Sequence, residues 1–141
     1  MDLYTQRPNI KLFQETFNIN VTGTVFFTES ILSLIPKGGT VFNMSSKMGS
    51  IELCKLTDSI AYRMSKSALN MYTKILSNRL KGEINVLSIH PGWVKTSIIE
   101  SNLKNGRLTP KQSAENIMRF LESDYSNNMF WDSENEEELK W

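Results

Sequence analysis

The sequence predicts an α/β fold in which a parallel sheet is layered with helices. Long stretches with apolar residues three and four apart alternate with short apolar, β-branched runs. Proline and glycine mark the changes of period, and strand–helix alternation implies right-handed crossovers into a parallel sheet. The 141 residues suit one domain, so 1–141 is expected to form a single unit.

From about Asn9 to Ile35, Leu12, Phe13, Phe17, Val21 and Val25 fall on one helical face, and Pro36 with Gly38-Gly39 ends the helix. Thr40 to Ser45 (TVFNMS) reads as a strand buried on both faces. A polar loop from Ser46 to about Ser59 leads to a second long helix, 60–80, where Ala61, Met64, Ala68, Leu69, Tyr72, Ile75 and Leu76 recur at helical spacing. Gly82 suits its exit. Residues 84–89 (INVLSI) form the next strand, closed by His90-Pro91-Gly92. Thr109, Pro110 and Gln112 make a capping box that opens a helix over 110–122. Residues 129–131 supply a last short strand, and the charge run DSENEEELK after it reads as solvated surface. Three strands are few, and TVFNMS is too apolar for an exposed edge, so a neighbouring strand is expected beside it.

Composition excludes several classes. Sixteen Lys+Arg against fifteen Asp+Glu give a formal charge of +1, without the basic excess of a nucleic-acid or charge-held membrane binder. No apolar run approaches the ~20 residues of a membrane span, and the first residues do not read as a signal peptide. One cysteine, Cys54, permits neither an internal disulfide nor a cysteine-based metal site, and one histidine, His90, rules out multi-histidine metal sites. No metal is expected, and the expected location is cytoplasmic.

The chemistry lies in YRMSK, where Tyr62 and Lys66 stand four residues apart on one helical face. A free phenol titrates near ~10, and a nearby ammonium favours its ionised form. Ser45-Ser46 closes the first strand and Pro91-Gly92-Trp93-Val94-Lys95-Thr96 follows the second, both at the carboxyl ends where open parallel sheets carry their sites. Asn20 sits in FNINVTG, a poor helical stretch within the first helix.

With Asn20, Ser46 in SSKMG, Tyr62 and Lys66 in YRMSK, and HPGWVKT in this order, the sequence resembles the short-chain dehydrogenase/reductase family. SSKMGSI, YRMSKSALNM and the closing FWDSENEEELKW are similar to its C-signal-like and sniffer-type carbonyl reductases. The resemblance implies a partial Rossmann-type sheet in three layers and an oxidoreductase reducing a carbonyl, or oxidising an alcohol, of a small-molecule substrate. It assigns Tyr62 as general acid/base, Ser46 to hold the carbonyl oxygen, and Lys66 to bind the nicotinamide ribose and lower the pKa of Tyr62. Asn20 would anchor a water in a relay to Lys66. Pro91, Gly92 and Val94 would shape the nicotinamide pocket, with Thr96 offering its hydroxyl to the cofactor. NAD or NADP is implied, with the family leaning toward NADP, and a homo-oligomer would form through the two long helices.

The family's opening strand, its TGxxxGxG turn and its NNAG motif have no counterpart in this sequence. The resemblance therefore makes 1–141 the C-terminal, catalytic half of one domain, with roughly a hundred preceding residues absent. That chain is expected to be inactive alone; the alternative is a non-catalytic remnant acting as an interaction or dimerisation module. His90 and Cys54 are expected to be a structural histidine and a partly buried bystander, Trp93 to line the substrate pocket, and residues 49–59 to set specificity.

Overall fold

The computed structural model describes Arg7 and residues 9–141. Helix α1 (Ile10–Phe17) starts at Asn9, whose side chain accepts a hydrogen bond from the Leu12 amide (3.1 Å). A π-helical segment, Asn18–Gly23, separates it from α2 (Thr24–Ile31), and a 3₁₀ turn closes at Leu34. The expected helix over 9–35 is thus a continuous helical run with a wider stretch in its middle. Asn18, Asn20, Val21, Thr22 and Gly23 are all weaker helix formers than alanine, and π segments of this kind recur at functional sites. Residues 36–39 then turn the chain, with Gly38 at φ +86 donating its amide to Glu83 O (2.7 Å).

Strand β1 (Thr40–Met44) pairs in parallel with β2 (Asn85–His90), in a register running from Thr40 opposite Asn85 to Met44 opposite Ile89. On its other side β2 pairs in parallel with β3 (Phe130–Asp132), and β4 (Glu137–Glu138) adds antiparallel to β3. The sheet order is β1-β2-β3-β4, so β2 is central and β1 lies at the edge among the described residues.

Side chains alternate across β2 and define the three layers. Leu87 and Ile89 pack on Ile117 and Phe120 of α5 (Pro110–Leu121). Val86 packs on the opposite face with Ile84 and with Leu76 of α3 (Ile60–Arg79), where Leu32, Ile35 and Val41 complete the cluster. Each fully buried aliphatic side chain here contributes on the order of 2 kcal/mol. Beneath α3, Asn43 Nδ2 and Ser88 Oγ both bond Thr73 Oγ1 (2.9 and 3.0 Å), tying the two strands to one helix. The capping box at Thr109–Gln112 forms, with Pro110 in the first turn of α5.

Several expectations are corrected. Strand β1 is not buried on both faces: Phe42 is 40% exposed and Met44 43%, because the face they share with Leu87 and Ile89 is covered by α5 at β2 but by no described helix at β1. A short helix α4 (Glu100–Asn105) was not expected, since Ser101, Asn102 and Asn105 are weak helix formers. The closing charge run is only partly solvated surface. Asp132, Ser133 and Leu139 are buried, and the β3–β4 hairpin leaves Glu137 and Glu138 exposed.

Candidate active site

Because β1 and β2 run parallel, the residues that follow them emerge on one rim of the sheet. At the end of β1, Ser45 extends the ladder through its amide to Ile89 O (2.8 Å). Its hydroxyl donates inward to Asn70 Oδ1 of α3 (2.6 Å), and Asn70 Nδ2 donates to Gly49 O (3.3 Å). Side chains alternate along extended backbone, so Ser46 turns the other way. Ser46 accepts from the Met48 amide (3.2 Å), caps the 3₁₀ turn Lys47–Gly49, and hydrogen-bonds the Tyr62 phenol.

That turn lies directly on α3. A Cβ at Gly49 would sit 2.8 Å from both the carbonyl carbon and the Cβ of Lys66, so only glycine permits the approach. Ser46 is thereby held against the helical face that carries Tyr62 and Lys66. The Lys66 ammonium donates to Met44 O (2.8 Å) and stands 5.7 Å from the Tyr62 ring centroid.

Burial governs both titrations. It lowers Lys66 to about 8, since the charged ammonium loses water. It raises Tyr62 above its ordinary value, while the Ser46 hydrogen bond acts in the opposite direction. The expected lowering of Tyr62 by Lys66 is therefore not what this arrangement produces. Burial favours the neutral phenol, and the ammonium is engaged by a backbone carbonyl.

Asn20, on the inner side of the π segment, donates through Nδ2 to Ser65 Oγ (3.0 Å), and Ser65 Oγ donates to Tyr62 O (2.8 Å). Its side chain thus meets α3 at the residue preceding Lys66.

After β2, Pro91 O accepts from Ser113 Oγ (2.7 Å), and Gly92 takes φ +84. A Cβ on Gly92 would meet Leu108 Cδ1 at 2.7 Å and Glu134 Cβ at 2.9 Å. Val94 bridges Leu108, and the Thr96 hydroxyl accepts from Asn102 Nδ2 (3.4 Å). Trp93 donates through Nε1 to Asn102 Oδ1 (2.9 Å), which gives the short α4 a purpose.

The remaining expectations divide. His90 is largely buried, its Nδ1 has no hydrogen-bond partner among the described residues, and burial lowers its pKa despite the opposing charges of Asp132 and Glu134. Burial therefore favours its neutral form. Cys54, expected to be partly buried, is exposed. Sequence reasoning missed Ser65, Asn70, Asn102 and Glu134. Only Ser65 lies within the YRMSK motif; Asn70 and Glu134 act through contacts distant in sequence, and Asn102 through an irregular loop back to Trp93 and Thr96, none of which spacing reveals. Among the described residues no cluster of three or more His, Cys, Asp or Glu is placed to hold a metal, and no helix is long and apolar enough to cross a membrane.

The sheet carries Ser46, Tyr62 and Lys66 together at its carboxyl rim, and the family model for short chain dehydrogenases matches residues 4–106. The chain belongs to that family. Its sequence is 39% identical over 87 residues to the C-signal protein of Myxococcus xanthus, an alignment covering 59% of this chain and 52% of that protein. It is 27% identical over 114 residues to 1-hydroxy-2-glutathionyl-2-methyl-3-butene dehydrogenase of a Rhodococcus strain, covering 79% of this chain and 50% of that enzyme. The chain thus spans about half the length of these curated relatives. Its fold superposes on the carbonyl reductase Sniffer of D. melanogaster with a TM-score of 0.88 and 27% identity, covering 100% of this chain and 62% of that one. An NADPH-bound carbonyl reductase from chicken fatty liver shares the fold at a TM-score of 0.80 and 24% identity, with 100% and 63% covered.

Proposed function

We propose that residues 1–141 form the catalytic, C-terminal portion of a single dehydrogenase domain that reduces a small-molecule carbonyl with NADH or NADPH. The Ser46–Tyr62 hydrogen bond, with Lys66 one helical turn along, carries this reading. Tyr62 hands its phenolic proton to the carbonyl oxygen. Ser46 holds that oxygen within reach of the phenol, and the proton lost is replaced from solvent. The nicotinamide, when bound, supplies the hydride that adds to the carbonyl carbon, so one hydride and one proton convert the ketone to the alcohol.

The residues present fit the nicotinamide end of such a cofactor. Lys66 is a half-buried cation bonded to a backbone carbonyl, suited to a ribose hydroxyl, and the bonds of Asn20 and Ser65 fix the turn of α3 beside it. Pro91, Gly92 and Val94 form the loop on the same rim, with the Thr96 hydroxyl at its end. The phosphate end requires backbone amides in a glycine-rich turn at a helix N-terminus, and the sequence of 1–141 contains no such turn. Turnover therefore depends on a segment that supplies it. The expected setting is cytoplasmic, with Cys54 an exposed free thiol.

A second reading, an interaction or dimerisation module, draws on exposed Ile19, Phe26 and Phe27 of the first helical run and Met71 and Ile75 of α3. Joining 1–141 to a family nucleotide-binding half and measuring ketone-dependent NAD(P)H oxidation separates the two. Tyr62→Phe should cost about 10²–10⁴-fold in turnover with little loss of stability. Tyr62→Phe activity above about a tenth of wild type contradicts the acid role.

A further inference from the structure

One short segment outside the acid–base set reaches both loops that bear it. Asp132, fully buried, accepts from the Glu134 and Asn135 amides (3.0 and 3.2 Å) and from Asn135 Nδ2 (2.8 Å), and faces Lys47 Nζ at 3.4 Å. Lys47 follows Ser46 directly, and Glu137 lies 3.7 Å from the same ammonium. Ser133 donates through its amide and hydroxyl to His90 O (3.0 and 2.9 Å), just before Pro91. Trp141 O accepts from the Glu52 amide (3.2 Å) and Ser50 Oγ (3.4 Å), pinning the loop beyond the 3₁₀ turn.

Glu134 makes the central contact. Its Oε2 accepts from the Trp93 backbone N–H (2.9 Å) and from Arg107 (3.0 Å), while Oε1 pairs with Arg107 Nε at 2.5 Å. The carboxylate is only 10% exposed and is held at the Trp93 amide, whereas the Arg107 side chain is 62% exposed, so its ion pair is open to solvent screening. Arg107 also lies 5.9 Å from the Trp93 ring centroid, and its backbone amide donates to Trp93 O (2.7 Å). Gly92 lets the two segments meet, since a Cβ there would touch Glu134. A carboxylate bonded to a loop amide fixes the peptide's orientation in a way an apolar contact cannot.

We propose that Glu134 is a positioning residue: its carboxylate fixes the Gly92–Trp93 peptide, and the C-terminal hairpin thereby holds the Pro91–Thr96 loop in the shape that receives the nicotinamide end of the cofactor. The geometric half of this inference stands on the contacts alone; the cofactor half rests on the function proposed above.

The test compares wild type, Glu134→Ala, Glu134→Gln and Glu134→Asp. Backbone amide exchange is read at Trp93 and, as an internal standard, at Leu87 and Ile89 of the central strand. Glu134→Ala should speed exchange at Trp93 about tenfold while the core strand is unchanged. Glu134→Gln keeps an acceptor of the same reach and should restore protection at Trp93 even though the Arg107 ion pair is lost. Glu134→Asp keeps the charge but is one methylene short, and it should behave like Glu134→Ala even if the alanine variant fails to fold. In the joined enzyme, the alanine and aspartate variants should raise the cofactor KM about tenfold with the ketone KM unchanged, and glutamine should rescue it. Unchanged exchange at Trp93 in the alanine and aspartate variants overturns the clamp. Faster exchange without a change in cofactor KM overturns the positioning role. A wild-type joined enzyme without activity defeats the proposed function instead, and the exchange data still decide the clamp.

Discussion

The two serines at the end of β1 differ in what surrounds them, and that difference assigns them different work. Ser45 is buried against Asn70, whereas Ser46 bonds the Tyr62 phenol. Ser45→Ala leaves Asn70 Oδ1 without its donor and should cost about 1–3 kcal/mol in a denaturant titration. Ser46→Ala should instead lower ketone turnover in the joined enzyme, with a smaller effect on unfolding. Lys66 carries a pH signature of its own. Its folded pKa of about 8 lies below the ordinary 10.5, so the native state releases this proton first as pH rises. The unfolded chain binds more protons between those values, and stability must therefore increase with pH across that window. Relative to Lys66→Met, the wild type should gain at most about 3 kcal/mol from pH 8 to 10.5. Parallel stability curves for the two proteins would contradict the burial of the ammonium.

At the scale of elements, the approach of the 3₁₀ turn to α3 is what gathers the site. Gly49→Ala forces the turn off the Lys66 backbone and should destabilise by about 1–3 kcal/mol while displacing Ser46 from Tyr62. Thr109→Ala removes a cap far from the rim and should cost about 1 kcal/mol with turnover unchanged. Melting curves and kinetics on the two variants distinguish a loss confined to stability from one that reaches the site. Elements with a period or a cap of their own were legible: α3, the central strand and α5 follow from spacing, proline and the Thr109–Gln112 box. The π segment could be sensed only as poor helix formers around Asn20, because its geometry depends on what α3 offers it. Helix α4 and strand β4 have no local signal, being held by Asn102, Lys47 and the edge of β3. For the site, the Tyr62–Lys66 spacing and the carboxyl rim were readable. Glu134 was hidden inside a charge run whose solvated appearance is set by composition, whereas its burial is set by Arg107 and Trp93.

Across the whole molecule, and on the proposed function, proton handling falls to residues 1–141, while phosphate binding needs a glycine-rich turn that their sequence lacks. The described residues gather Ser46, Tyr62 and Lys66 on one rim, and β1 is the edge strand among them, with Phe42 and Met44 exposed on one of its faces. An apolar strand edge of this kind pairs with another strand, so residues 1–141 by themselves should associate or aggregate in size-exclusion chromatography. The division of labour is tested most directly by calorimetric titration of NADPH and NADH into residues 1–141 alone and into the same residues joined to a glycine-rich nucleotide-binding half. The joined protein should bind at micromolar affinity, and residues 1–141 alone at least about a hundredfold more weakly, for want of the amides and helix terminus that hold a pyrophosphate. A soluble monomer of residues 1–141 that binds either cofactor at micromolar affinity would contradict this account.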